Sequence, residues 1–144
     1  FATGPGEFGF NGIVYDNRGF LLVAFADKLV KIDVDNPDNY SIVQLDAAIF
    51  PDGLLLSKNG KELLVVHNTG GTPDDSVLTF ISDDQWQSGT LTNSFGTGPV
   101  FPTTLTSDGK SVYVLYSHLD KFISGNSHNS FTIQKVPFEH KYSF

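Results

Sequence analysis

The chain repeats itself. The stretch FNGIVYDNRGFLLVAF, Phe10 to Phe25, aligns without a gap onto the start of FPDGLLLSKNGKELLVVHN, Phe50 to Asn68. Phe10-Asn11-Gly12 falls on Pro51-Asp52-Gly53 and Gly19 falls on Gly60, so the step from Asn11 to Asp52 is 41 residues. A third copy, VFPTTLTSDGKSVYVLYSH, runs from Val100 to His118, with Gly109 on Gly60 after a step of 49 residues. Repeats of roughly 40 to 50 residues with strand, turn and strand content point to propeller blades, whereas helical solenoids would carry a 3.6-residue period. The expectation is an all-β chain forming a β-propeller of about three blades, with approximate bounds 10–50, 51–100 and 101–138 within one unit, 1–144.

Each repeat reads as a hairpin. Leu54-Leu55-Leu56 is a short apolar run typical of a strand covered on both faces. Ser57-Lys58-Asn59-Gly60 supplies a turn with residues that tolerate positive φ, and Glu62 to Val66 returns antiparallel. The same grammar gives Ile13 to Tyr15, the turn Asp16-Asn17-Arg18-Gly19, and Phe20 to Phe25. Outer strands are expected at 28–35, 40–46, 76–82, 89–95 and 130–138. Two loops are long, Asn68 to Asp75 and Leu119 to Asn129; they read as connectors or as loops that carry function on a rigid scaffold.

Composition agrees with strands and turns. Fourteen Gly and seven Pro, with Asn and Asp, fill the gaps between runs of Val, Ile, Leu, Phe, Thr and Tyr. The net charge of −7 argues against nucleic acid and against an anionic membrane surface, both of which select basic patches. No apolar run approaches the roughly 18 residues that would cross a bilayer, so the chain reads as soluble, with secretion left open. There is no Cys and no Met. Without an initiator or a signal-like segment, the expectation is a mature fragment or one product of a cleaved precursor.

Hairpin geometry brings particular residues together. Asp52 lies eight residues before the turn glycine Gly60 and His67 lies seven after it, so both reach the same end of one strand pair. Asn11 stands equivalently against Phe25 and Ala26. In the third repeat the position falls on Phe101 if Gly109 anchors the count, or on Thr103 if Pro102-Thr103-Thr104 is matched to Pro51-Asp52-Gly53. His118 stands at the matching end of that hairpin. If the innermost strands surround a common axis, these residues converge at one mouth of it.

The repeated [Asn/Asp]-Gly phrase, with Asn11-Gly12 and Pro51-Asp52-Gly53, resembles the six-bladed propellers of the gluconolactonase and senescence-marker-protein superfamily. The segment FPTTLTSDGKSVYVLYS and the late FTIQKVPF resemble the C-terminal part of its members, and the strictosidine-synthase-like propellers share the short motifs. The resemblance implies the C-terminal half of a six-bladed ring. It implies a divalent cation, often calcium, held at the axis by an early Glu and by Asn or Asp at inner-strand starts. Asn11 and Asp52 match two such positions. A later Asp is replaced by Phe101 or Thr103, and the early Glu belongs to a part of the propeller that this chain does not contain. Calcium takes 6 to 8 oxygen ligands, so a complete site needs groups from elsewhere.

Plainer readings stand beside these. Asp in Pro-Asp-Gly and Asn in Asn-Gly are common turn residues that bond their own backbone. His67 reads as a pocket wall or general base, or as a simple strand-end histidine. His128 and His140 lie in a loop and a tail. Trp86 and Tyr40 read as packing or surface aromatics. Asn39-Tyr40-Ser41 is a glycosylation sequon, meaningful in a secreted protein. No phosphate loop, zinc spacing or nucleophile elbow is present.

Three function classes follow: a metal-dependent lactone or ester hydrolase with a degenerate site, a non-catalytic propeller that binds a small, apolar-leaning ligand in the axial pocket, and a structural or storage protein. The ligand positions are His67, Phe101, Thr103 and His118, and the metal positions are Asn11 and Asp52. Three blades leave two blade faces uncovered, so a second polypeptide is expected to complete the ring: the N-terminal half of the same precursor or a second copy of the chain.

Overall fold

The computed structural model describes residues 9–137 and 139–144. Three sheets, antiparallel except for one short edge strand, follow one another along the chain. The first contains β1 (Phe10–Asp16), β2 (Phe20–Phe25), β3 (Lys28–Asp33) and β4 (Tyr40–Ile42), in that order. The second contains β6 (Pro51–Leu56), β7 (Glu62–His67), β8 (Ser76–Ile81) and β9 (Ser88–Gly96), with the two-residue β5 (Gln44–Leu45) added at its outer edge. The third contains β10 (Pro102–Ser107), β11 (Val112–Tyr116) and β12 (Thr132–Lys135). A five-residue helix, α1 (Leu119–Ile123), lies in the second long loop, where no helix was expected.

Turn chemistry sets the hairpins. Gly19, Gly60 and Gly109 all take positive φ, at 92°, 71° and 87°. Only glycine adopts that region without a steric cost, which is why the repeat retains glycine at this step. In the first turn the Asp16 carboxylate also accepts the Arg18 amide at 2.9 Å, an Asx turn that fixes the loop.

β7 explains the unbroken apolar run Leu63 to Val66. Leu63 and Val65 face a core shared with Phe20, Leu22, Leu29 and Phe80, while Leu64 and Val66 face a core shared with Leu105, Val112 and Val114. A strand covered on both faces has no polar side to alternate with. The second sheet is therefore sandwiched between the first and the third.

The first strands of the three sheets lie against one another. A Cβ on Gly12 would stand 2.9 Å from the Leu54 amide nitrogen, and one on Gly53 would stand 2.6 Å from the Thr103 carbonyl oxygen. Each [Asn/Asp]-Gly glycine is thus the place where one inner strand presses onto the backbone of the next.

One expected strand divides. The run 40–46 was expected to close the first repeat unit, but it breaks at buried Val43, whose amide bonds the Leu29 carbonyl. Gln44 and Leu45 then pair in parallel with β9, so the linker stitches the first sheet to the outer edge of the second. A second tie is the Gly60 carbonyl, which accepts both Trp86 Nε1 at 2.7 Å and Arg18 Nη2 at 3.0 Å. Trp86 is fully buried and Tyr40 exposed. The expected closing strand 130–138 is the shorter β12, and Phe138 lies outside the described residues. Among the described residues no helix is long and apolar enough to cross a membrane.

Candidate functional site

Each inner hairpin carries the same irregularity at the same place. Phe10 pairs with Phe25, Pro51 with His67 and Pro102 with Tyr116, and each pairing is followed by a register shift. The extra residue after the pair bulges, and a bulge re-aims the side chain it carries. The shift spans Asn11-Gly12 in the first hairpin and Asp52-Gly53 in the second, and falls on Thr103 in the third. Phe101 instead holds the register of Phe50, one residue before the pair.

The bulges bring Asn11 and Asp52 together. Asp52 accepts side-chain hydrogen bonds from Asn68, at 3.1 Å, and from Asn11. Burial pushes the Asp52 carboxyl above its ordinary value, and the two amide donors only partly offset that. Asn68 is the hub of the cluster. Its Nδ2 also donates to the Pro102 carbonyl at 3.0 Å, its Oδ1 accepts the Gly70 amide at 2.9 Å, and its own amide bonds the Phe50 carbonyl at 2.9 Å. One side chain therefore links β6, β10 and the 68–75 loop. Sequence reasoning quoted Asn68 as the end of a strand and gave it no role. The signal was its place just after the strand that returns beside Asp52.

His67 does not turn its Nδ1 toward Asp52. That nitrogen accepts the Phe50 amide at 3.0 Å, and the ring lies 5.8 Å from the Phe50 ring. An accepting Nδ1 places the proton on Nε2 in the neutral tautomer. Burial lowers the His67 pKa, against a partial opposing pull from Asp75 and Asp74. The ring is thus oriented by Phe50, the residue just before the strand that carries Asp52.

The two long loops meet above Phe101. Phe101 has φ of 54°, and its carbonyl accepts both the amide and the hydroxyl of Ser117, each at 3.1 Å. A Cβ on Gly71 would stand 3.3 Å from the Phe101 ring and 3.8 Å from the Asp120 side chain. The 68–75 loop is braced from within by fully buried Asp75, which accepts the Thr69 amide at 2.8 Å and the Thr69 hydroxyl at 2.7 Å. His118 takes φ of 49° before α1 and lies against His128, with ring centroids 4.3 Å apart.

This arrangement offers a half-buried carboxylate among amide and carbonyl groups at one end of the inner strands. These are hard oxygen donors of the kind calcium prefers. Among the described residues no three His, Cys, Asp or Glu side chains converge on a metal-binding point. Asp52 and the asparagine amide oxygens would supply a minority of a calcium shell.

No family model matches the chain, and no curated protein matches it. Among solved structures, the chain is similar to one from the S. cerevisiae assembly in which a Dbp5 variant is bound to Nup159, a Gle1 variant, IP6 and ADP. The identity is 10%, the TM-score 0.32, and the match covers 75% of this chain and 39% of that one. The chain thus spans less than half the length of this structural neighbour, and a likeness at that score carries no inference about fold or function.

Proposed function

We propose that the chain is half of a six-bladed, gluconolactonase-like propeller whose axial site is built on Asp52 and Asn11 and acts on lactones or esters with a divalent cation. The observation that carries this reading is the meeting of Asn11 and Asp52. Two residues 41 positions apart in a repeat are presented by equivalent bulges and share a hydrogen bond. Asn11 and Asp52 would hold the cation together with oxygen ligands from the completing polypeptide. The cation, when bound, would polarise a carbonyl and acidify an attacking water.

A second reading, a non-catalytic pocket for a small ligand, is favoured by the third hairpin. Its bulge carries Thr103, a neutral hydroxyl, in place of a carboxylate or amide. A lactone-hydrolysis screen on the complete assembly, with and without a chelator of divalent ions, separates the two. Chelator-sensitive turnover supports the hydrolase, and ligand binding without turnover supports the pocket.

Completion of the ring rests on equivalent positions. Leu54 and Leu56 pack onto the first sheet. Their counterparts one repeat earlier, Ile13 and Tyr15, are 58% and 56% exposed. On β12, Ile133 is 69% exposed. Leaving such faces in water forfeits about 25 cal/mol per Å². A further sheet, from the other half of the precursor or from a second copy, would cover Ile13 and Tyr15 as the first sheet covers Leu54.

A further inference from the structure

A cleft of about 570 Å3 opens between the β10–β11 turn, the end of β12 and the segment 139–144. Its charge is opposite to that of the molecule. The protein carries nine Lys and Arg against sixteen Asp and Glu, yet Lys110, Lys135 and Lys141 line this cleft with Glu139 as the one acidic lining residue. A third of the cations of an acidic chain are gathered at one place.

Two nearby carboxylates are engaged by other groups rather than by these lysines. Asp108, in the adjoining turn, accepts the amides of Lys110 and Ser111 at 2.8 and 2.7 Å and the Tyr113 hydroxyl at 3.2 Å. Glu62, beneath the C-terminal segment, accepts the Tyr142 amide at 3.0 Å and faces His140 Nδ1 at 3.5 Å. Among the described residues none of the three lysines forms an ion pair. Lys141 lies 5.3 Å from the Tyr142 ring centroid and its charge helps lower the pKa of the Asp83 carboxyl, and Glu139 offsets one charge, so the lining keeps a net positive balance that an anion between the lysines would reduce.

The fold holds this cleft open by fixing the segment that forms its wall. The Tyr142 amide is anchored on buried Glu62, the Lys58 amide bonds the Ser143 carbonyl at 2.8 Å, and Phe144 packs on the core between the second and third sheets. The wall is therefore tied both to the β6–β7 hairpin and, through Phe144, to the core beneath the sheet it faces.

We propose that this cleft binds a small phosphorylated ligand, with Lys110, Lys135 and Lys141 on its phosphoryl oxygens and the hydroxyls of Ser107 and Ser111 beside them. Lysine supplies compact point charges suited to phosphate oxygens, whereas planar carboxylates are best matched by the arginine fork. The chain's single arginine, Arg18, is committed to Asp16 at 2.6 Å and is not among the residues that line this cleft. The volume falls within the range of small-molecule sites and exceeds what inorganic phosphate would fill. The proposal is independent of the axial site.

Pyrophosphate is the probe. Calorimetric titration of the intact chain should show saturable binding, and pyrophosphate should raise the thermal midpoint. Lys135→Gln and Lys141→Gln should each weaken binding about tenfold, the loss of one charge-assisted contact. Asp52→Asn should leave it unchanged. The proposal is overturned if pyrophosphate does not bind at millimolar concentration, if the Lys135→Gln/Lys141→Gln double variant binds as well as the parent, or if citrate binds as tightly as pyrophosphate.

Discussion

Asn68 donates to the Asp52 carboxylate and, from the same nitrogen, to the Pro102 carbonyl, so one amide fastens the second inner strand to the third. Asn68→Ala removes both bonds and leaves a half-buried carboxylate short of a donor. The expected loss is about 1–3 kcal/mol of stability, read by denaturant unfolding. Asn68→Asp should be worse, because two carboxylates would then face each other. An Asn68→Ala protein as stable as the parent would show that the bridge is not a tie between strands.

Gly12→Ala and Gly53→Ala test the contact between inner strands directly. Neither glycine takes positive φ, so the substitutions carry no backbone penalty; the cost is the Cβ meeting the neighbouring strand. Each should destabilise by roughly 1–3 kcal/mol through overpacking against backbone that has no rotamer to change. Gly96, where a Cβ meets nothing within 4 Å, is the control: Gly96→Ala should change the unfolding midpoint little.

The hairpins, their turns and the doubly covered strand β7 were legible because each has a local cause: a glycine at positive φ, an Asx turn, an apolar run with no alternation. The pairing of Asn11 with Asp52 at one end of the inner strands was legible through the repeat. What was hidden depends on contacts between sheets. Nothing local distinguishes the end of β4 at Ile42 from the start of β5 at Gln44, because the switch is made by Val43 entering the core between two sheets. Nothing local reveals that Asn68 spans to Pro102, 34 residues away. The phrase that made Phe101 and Thr103 equal candidates is separated only by the Pro102 to Tyr116 register.

Acid should unfold the protein through identifiable carboxylates. Burial pushes Asp16 up, but the hydrogen bonds and charge of Arg18 outweigh it and hold the carboxyl below its ordinary value. Asp84 is lowered to about 2, chiefly by the Ser88 hydroxyl and amide, with Ser82 and Gln87 adding to it. Both bind protons less readily folded than unfolded. Their stabilisation is complete above the ordinary carboxylate range and is lost as pH falls through the folded values. Asp84 also caps the turn that carries Gln85 and Trp86 at φ of 59° and 62°. Thermal midpoints followed down to about pH 2 should fall, and Asp84→Asn should flatten that limb.

Asp52 has the opposite sign. Its folded pKa is raised, so its contribution is favourable at low pH and is lost as pH rises through the folded value. Asp52→Asn should therefore leave the protein as stable at neutral pH, or more so, while abolishing retention of a divalent cation by the assembly. Elemental analysis alongside thermal unfolding reads both. Loss of stability on this substitution would assign Asp52 to the scaffold and remove the main support for the axial site.

The exposed inner-strand face makes the last expectation. Val14 and Leu22 meet the second sheet across a filled core, while Ile13 and Tyr15, on the opposite side of β1, remain more than half exposed. In the second sheet the counterparts of both sides are covered, so the same strand chemistry is satisfied there and unsatisfied here. Replacing Ile13 and Tyr15 by Ser and Thr should not destabilise the lone chain, since little is buried at those positions. It should dissociate the ring proposed above. Native mass spectrometry followed by denaturing separation distinguishes the outcomes: a second, different polypeptide supports the two halves of one precursor, and one species at twice the mass supports a dimer of two three-sheet chains. A stable monomer at 15.7 kDa would defeat both.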